Sequence, residues 1–519
     1  MLHRDRIVAL YDLHSWAGLI FGLLIFIICA SGALAVFSTE LDHWANPSLR
    51  TDPSLPQTLD ADAALARLSP LVPIRPDRAT TLALPGAHPG LYSLATPNSA
   101  ERLNRTYLDA HSGKLTAPRE SHMYWYLRHL HVRLMNHWYG RVFIGLIGMA
   151  MLISVVTGIL IHQHPVRGLF RMRWRPGKGM RAFMADLHKW LGVWGMLFHL
   201  MIAFTGTWLG IDYHLLAPPV GLAKYDGDAD RARNALNRNT PPPSAETMPM
   251  LALQPLVQRA QADIPGLLPT YIRLDNWGRS NAVVTIAGNL PYSLVTERGS
   301  HVRYSGSDGS LIAKQDAREQ GFWPQVISAM GPLHYGYFGG TWIKLLYLGL
   351  GLMPAVLALS GCVIWYERRQ RVKRAEAAQT AVAASRAAHI VAALFASGWV
   401  ALLLGLVAPS LSALAGWPIG TNPMTPLFWW PWIALALGFL CLRNAALIGA
   451  VATALSALLC LLAFGVTWRP PLDGIVIGVG IAALLCALLH GWLCRLFWQA
   501  SAQTHQIPRK TSTAPSTTA

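Results

Sequence analysis

Charge and cysteine are both scarce in this chain. Only 13% of its 519 residues are charged while 53% are hydrophobic, and the mean hydropathy is +0.33. A soluble enzyme of that size needs more charge on its surface, so most of the chain expects lipid as its solvent. The six cysteines, Cys29, Cys362, Cys441, Cys460, Cys486 and Cys494, all fall within or at the end of apolar runs. None lies in the long polar loops, so no disulfide framework supports those loops. There is no C-x-x-C pair and no C-x-x-C-H, which disfavours iron–sulfur clusters and covalently attached haem. No G-x-G-x-x-G fingerprint follows a strand, so a nicotinamide or flavin domain is not supported.

What the chain does have is long apolar runs. Eight candidate spans stand out, at residues 18–37, 142–161, 190–211, 342–365, 390–408, 428–442, 446–466 and 475–493, the sixth of them short. About 20 apolar residues are needed to cross a bilayer. The first run follows Arg4 and Arg6 and contains Ala33-Leu34-Ala35, as a signal peptide would. It is long for one, and its motifs recur in mid-chain, so a retained span is expected. Arg167, Arg171, Arg173, Arg175, Lys178 and Arg181 lie between spans two and three, and Arg368, Arg369, Arg371, Lys373 and Arg374 follow span four. The positive-inside rule makes these loops cytoplasmic and puts both termini inside. The net charge of +17 is thus explained by topology and not by nucleic acid.

The chain also repeats itself. Leu13-His14-Ser15-Trp16-Ala17-Gly18 recurs as Leu187-His188-Lys189-Trp190-Leu191-Gly192, and Ser31-Gly32 stands as far from His14 as Thr205-Gly206 does from His188. Leu130-His131 before Thr157-Gly158 is echoed, at equal separation, by Leu333-His334 before Ser360-Gly361. The repeat unit is span, outer segment, span. Each outer segment reads as a small α+β module. The first has a helical pattern at residues 60–68, a strand at 90–96 and a hairpin at 107–115. The second has a helix at 250–262, strands at 271–277, 282–287 and 292–296, and a Gly-containing turn at 304–311. The domain boundaries that follow are 1–40, 41–128, 129–212, 213–333, 334–375, 388–496 for four further spans, and a disordered tail at 501–519.

A histidine inside a span is costly to leave without a partner, so it marks a functional site, a hydrogen-bonded pair or a metal ligand. Here the histidines are layered: His14, His162 and His188 at cytoplasmic ends, His131, His137 and His334 at outer ends, and His199 within the third span. Two sites, one per membrane face, are expected. At about 100° per residue, His188 and His199 lie roughly 20° from one helical face and about 16 Å apart, so one helix could serve both sites. Gly18 and Gly192 lie one turn beyond His14 and His188, where a side chain would obstruct a flat macrocycle. Close helix packing alone explains such glycines and the Ser/Thr-Gly pairs; repeated together with histidine, they favour haem. Structural zinc is the rival, but it typically needs four ligands and the cysteines are misplaced for it.

These motifs, with Phe198-His199-Leu200-Met201 and Leu333-His334-Tyr335-Gly336, resemble the PepSY-associated transmembrane family over roughly the first 375 residues. The resemblance implies an all-α polytopic membrane protein of about eight transmembrane helices, carrying two small α+β periplasmic PepSY-like modules. It implies a haem b protein of the bacterial inner membrane that reduces ferric siderophore or ferric iron during iron uptake. Two haems are expected, held among His14, His131, His162, His188, His199 and His334. Repeat symmetry sets His14 opposite His188 and His131 opposite His334. His162 and His199 lack repeat counterparts, so an asymmetric pairing through either is the competing arrangement. Expected partners are the bilayer, the ferric substrate and an external donor, quinol or soluble reductase, with no nucleic acid. The last four spans carry only His389 and His490 and read as a structural or partner-binding extension. The alternative from another class is a non-redox transporter, or a PepSY-type regulatory or binding protein.

Overall fold

In hydrocarbon a backbone must satisfy its own N–H and C=O groups, which a long apolar run achieves by forming a helix. The computed structural model describes residues 4–503 apart from 53–54, 86–89, 97–105, 118, 163–174, 176–179, 225, 229–241, 292, 295–299, 375–377, 417–423 and 443. The first helices are α1 (Arg4–Ala35), α2 (Ser38–Ala45), α3 (Ala61–Leu68), α4 (Met123–Arg133), α5 (Trp138–Ile161), α6 (Met180–Trp194), α7 (Met196–Ile211) and α8 (Ala217–Lys224). They are followed by α9 (Leu253–Asp263), α10 (Phe322–Tyr335), α11 (Gly340–Arg374), α12 (Ala378–Leu414), α13 (Met424–Leu440), α14 (Ala445–Thr467) and α15 (Gly474–Gln503).

Six stretches are long and apolar enough to cross a membrane: α1, α5, Tyr337–Arg368, Ala388–Leu414, α14 and Gly474–Ala502. The helices α6 and α7 pass the same test only as a pair bent by 71°, which makes seven, and the apolar Leu427–Leu440 within α13 is shorter. The expected eight runs are therefore all helical, with the third broken and the sixth short. The basic residues Arg167, Arg171, Arg173 and Lys178 lie outside the described residues, as does 504–519 of the expected tail; Ser501 and Gln503 belong to α15.

The chain divides into two compact units: Met1–Cys362 with Pro409–Met424 and Arg469–Val476, and the remainder. In the first, α1 packs on α5, α5 on α7, α4 on α1 and α10 on α7. The repeat seen in the sequence is thus a repeat in space. Each second span is interrupted after its histidine. Leu134 and Met135 have φ of 48° and 61° between α4 and α5, and Gly336 and Gly340 have φ of 69° and 67° between α10 and α11. The left-handed region costs a residue with a Cβ and costs glycine nothing. The first repeat carries that strain and the second avoids it. In both, the break sets His131 and His334 on short helices apart from the long span.

The two outer segments build one sheet. Its strands are β1 (Thr80–Ala83), β2 (Leu91–Ala95), β3 (Tyr107–Asp109), β4 (Leu268–Asp275), β5 (Val283–Asn289), β6 (His301–Ser305) and β7 (Leu311–Gln315), in the order β3-β2-β1-β4-β5-β6-β7. The junction is antiparallel β1–β4, with Leu82 opposite Ile272. Helices α3 and α9 contribute to the same buried cluster, which includes Leu68, Leu82, Leu94, Leu256, Ile272, Val284 and Tyr304. The halves also cap each other. Asp62 of α3 accepts the N–H groups of Leu253 and Gln254 at the start of α9 (2.6 and 2.9 Å), and Gln254 Oε1 accepts from Ala61 N–H (3.2 Å). An end-capping bond of this kind is worth about 1 kcal/mol. The strand expected at 292–296 lies mostly outside the described residues, and Ser293 and Leu294 are not in a strand.

A polar collar ties the outer end of α1 to α4. Buried Asp42 receives Arg119 Nη2 at 2.7 Å and Tyr124 N–H at 3.2 Å. Fully buried Asn46 accepts from the N–H groups of Glu120 and Ser121 (2.9 and 2.8 Å) and donates to the carbonyls of Asp42 and Ser121 (2.8 and 3.0 Å). Beyond it, Arg469 pairs with Glu120 through both nitrogens, Arg50 donates to the carbonyls of Arg469 and Pro471, and His43 meets Asp473 at 2.6 Å. Asn46→Ala leaves two buried N–H groups unmet, so it should destabilise the protein by about 2 kcal/mol or more. Thermal unfolding in detergent checks this, and a wild-type midpoint would show the collar to be dispensable.

Candidate functional site

A glycine in a helix leaves a notch, and each of the four Ser/Thr-Gly pairs uses its notch to seat an imidazole from a neighbouring helix. A Cβ built on Gly32 would fall 2.5 Å from His131 Cε1; on Gly158, 3.2 Å from His14; on Gly206, 3.0 Å from His334; and on Gly361, 3.4 Å from His188. The pattern is reciprocal. The first span of each repeat supplies one histidine and one notch, and the second supplies its notch from the long helix and its histidine from the short one before it.

Beside each notch the ring's Nδ1 finds a partner. His14 Nδ1 lies 2.8 Å from Ser154 O, His131 Nδ1 2.8 Å from Ile28 O, His188 Nδ1 3.0 Å from Ser360 Oγ, and His334 Nδ1 3.0 Å from Thr205 Oγ1. A carbonyl can only accept, so His14 and His131 carry their proton on Nδ1. The hydroxyls lead to the same answer. Thr205 spends its proton on Met201 O (2.8 Å) and Ser360 on Leu357 O (3.1 Å), so each hydroxyl oxygen accepts from the imidazole. All four rings are therefore neutral Nδ1–H tautomers with a lone pair on Nε2. Among the described residues, no hydrogen bond uses any of those four Nε2 atoms.

The rings meet in two pairs. The centroids of His14 and His188 are 6.1 Å apart with planes at 88°, and those of His131 and His334 are 5.9 Å apart with planes at 25°. A metal bound at about 2 Å from each nitrogen separates the nitrogens by about 4 Å and the ring centres by roughly 6 Å. Both pairs have that spacing. Among the described residues, no group of three or more His, Cys, Asp or Glu side chains converges as a metal site. Two facing imidazoles suit a metal whose other ligands come from a macrocycle, and the residues present fit that group.

Around the first pair is a cavity of about 380 Å³ whose lining includes His14, His188, His162, His199, Gly18 and Gly192. A Cβ on Gly18 would meet nothing within 4 Å, so this glycine borders open space and not a packed neighbour. Two imidazoles without repeat counterparts, His162 and His199, thus face the same cavity as the first pair. The third span is not straight: it bends by 71° at Gly195, where a side chain would run into the ring of His199. The estimate that His188 and His199 serve two sites 16 Å apart fails for this reason, because it assumed an unbroken helix. His199 is 2% exposed and its Nε2 has no hydrogen-bond partner. His137, at the start of α5, is exposed and stacks on Tyr139.

In the second unit both extra histidines are engaged. His490 takes a hydrogen bond from Trp399 Nε1 (3.1 Å) and its Nδ1 donates to Cys486 O (2.7 Å); His389 Nε2 lies 3.1 Å from Leu440 O.

The family described as PepSY-associated TM region matches residues 11–368. An uncharacterised protein of Pseudomonas aeruginosa is 32% identical over 311 residues, covering 56% of this chain and 75% of that protein.

The notches separate two kinds of glycine. Gly32→Ala forces His131 out of its seat and should cost about 1–3 kcal/mol, the usual range for overpacking. Gly18→Ala should be close to neutral. Thermal unfolding of the two variants in detergent tests this, and equal midpoints would mean that the seat at Gly32 yields freely.

Proposed function

From the premise that the chain belongs to the PepSY-associated transmembrane family, we propose that it is a haem b electron-transfer protein of the bacterial inner membrane. In this reading it reduces ferric siderophore or ferric iron at its outer face during iron uptake. The observation that carries the reading is the pair of imidazole pairs, each about 6 Å between ring centres, with every Nδ1 proton committed to the protein. His14 with His188 would hold one haem and His131 with His334 the other.

Haem gripped by two imidazoles supplies one-electron transfer between ferric and ferrous iron. The chain's own groups prepare the ligands for it. Donation of Nδ1–H to a carbonyl or hydroxyl fixes the tautomer and ring direction and makes Nε2 more basic. If two imidazoles hold the iron, no coordination site would be left open for oxygen chemistry. The apolar helices around the pairs exclude water and lower the local dielectric, and the notches let the rings approach without strain. His162 and His199 line the inner cavity as further imidazoles, His199 with an unused Nε2.

Electrons would enter from an external donor on the cytoplasmic side, a quinol or a soluble reductase, and leave to a ferric complex near the periplasmic sheet, where reduction weakens chelation. The Arg-rich connection after α5 and the basic C-terminal end of α11 support that orientation, with both termini cytoplasmic.

Visible spectroscopy of the detergent-purified protein tests the proposal. Two haems per chain are expected, with sharp ferrous bands and no change on adding carbon monoxide. His188→Ala and His334→Ala should each remove one haem and leave the other. Gly18→Leu should lower haem content in the inner cavity while leaving the melting midpoint of the haem-free fold near wild type. A colourless wild-type preparation would reject the redox reading in favour of a transporter or a PepSY-type binding protein.

A further inference from the structure

The outer imidazole pair has a cation beside it that the axial ligands do not use. Arg128 lies on α4 three residues before His131, so the two side chains share a helix face one turn apart. Its guanidinium carbon stands 5.2 Å from the centre of the Tyr124 ring and 5.5 Å from that of Tyr335. The Tyr335 ring in turn lies 5.7 Å, at 80°, from His334. Two tyrosines from different helices therefore hold this guanidinium, and one of them is in ring contact with His334.

Among the described residues, no carboxylate pairs with Arg128, although several other arginines have one. Arg119 is spent on Asp42, Arg469 on Glu120 and Arg318 on Asp316. A half-buried guanidinium held by π-faces alone, with its hydrogen-bonding fork unspent, is a seat for a planar carboxylate.

We propose that Arg128 is the carboxylate-binding residue of the outer site, a positioning residue that anchors a haem propionate beside the His131–His334 pair. This rests on the haem reading above. The same chemistry would suit a carboxylate of the incoming ferric chelate, and the experiment distinguishes the two sources.

Arg128→Gln and Arg128→Lys are compared with wild type in three readouts: redox titration of each haem, haem release into excess apomyoglobin, and binding of ferric citrate. A propionate anchor predicts that Arg128→Gln lowers the midpoint potential of the outer haem alone. It also predicts release of that haem roughly ten- to a hundredfold faster, the loss expected for one charged hydrogen bond. Arg128→Lys restores most of the potential but less of the retention, because the ammonium keeps the charge and loses the fork. If potential and release are unchanged and only ferric citrate binding weakens, the carboxylate belongs to the substrate and the cofactor anchor is overturned. If none of the three changes in a protein that carries both haems, Arg128 is not a carboxylate site at all. A colourless wild type overturns this assignment together with the haem reading, and so is distinct from a failure of Arg128 alone.

Discussion

The molecule's organisation depends on one small contact made four times, an imidazole N–H given to an oxygen beside a helical glycine. Each contact consumes the only proton of a neutral ring and turns the remaining lone pair away from its seat. In the bilayer such a lone pair is expensive to leave without a partner. The helices bring the four rings together in two pairs, near perpendicular for His14 with His188 and near parallel for His131 with His334.

Much of this was legible in the chain because it is written locally or as a repeat. The helical runs and the equal spacings from His14 to Gly32 and from His188 to Gly206 are short-range patterns. The pairing of His14 with His188 and of His131 with His334 follows the repeat symmetry. What stayed hidden is non-local or strained. The Ser/Thr-Gly pairs were visible, but sequence alone reads them as close helix packing; the imidazole that fills each notch comes from a distant part of the chain, as with Ser154 and His14. The bend at Gly195 has no proline to announce it. The left-handed break at Leu134 and Met135 uses residue types that rarely adopt that conformation. Strand β1 is four residues long, and its pairing with β4 joins segments nearly 200 residues apart, so no window of sequence contains the sheet.

That join also bears on how the outer sites are held. Two independent modules would leave α4 and α10 free to move with separate domains. One sheet, with Asp62 and Gln254 capping across the seam, makes the two outer segments a single body. The chain leading from that body to His131 passes through the Asp42–Asn46 collar, where a buried carboxylate and a buried amide have their oxygens matched to named donors. The breaks after His131 and His334 then act as joints between fixed outer helices and the long spans. Ring spacing in the outer pair is thereby set by the extramembrane domain as much as by the bundle.

The second unit supplies the contrast that gives the unused lone pairs their meaning. His490 sits in a membrane helix much as His188 does, yet its Nδ1 donates to Cys486 O and its Nε2 receives the indole N–H of Trp399. Both nitrogens are satisfied by protein, and the ring stacks on its donor at 6.0 Å. That is the ordinary fate of a histidine in hydrocarbon, where every polar atom must find a partner within the fold. The same residue type under the same constraint ends differently in the first unit, where four rings are each bonded on one side only. Satisfying an Nε2 there would have required no more than one serine or tryptophan at helical distance, as Trp399 does for His490. Four such omissions, arranged two by two at one spacing, are a property of the site and not of the helices that carry it.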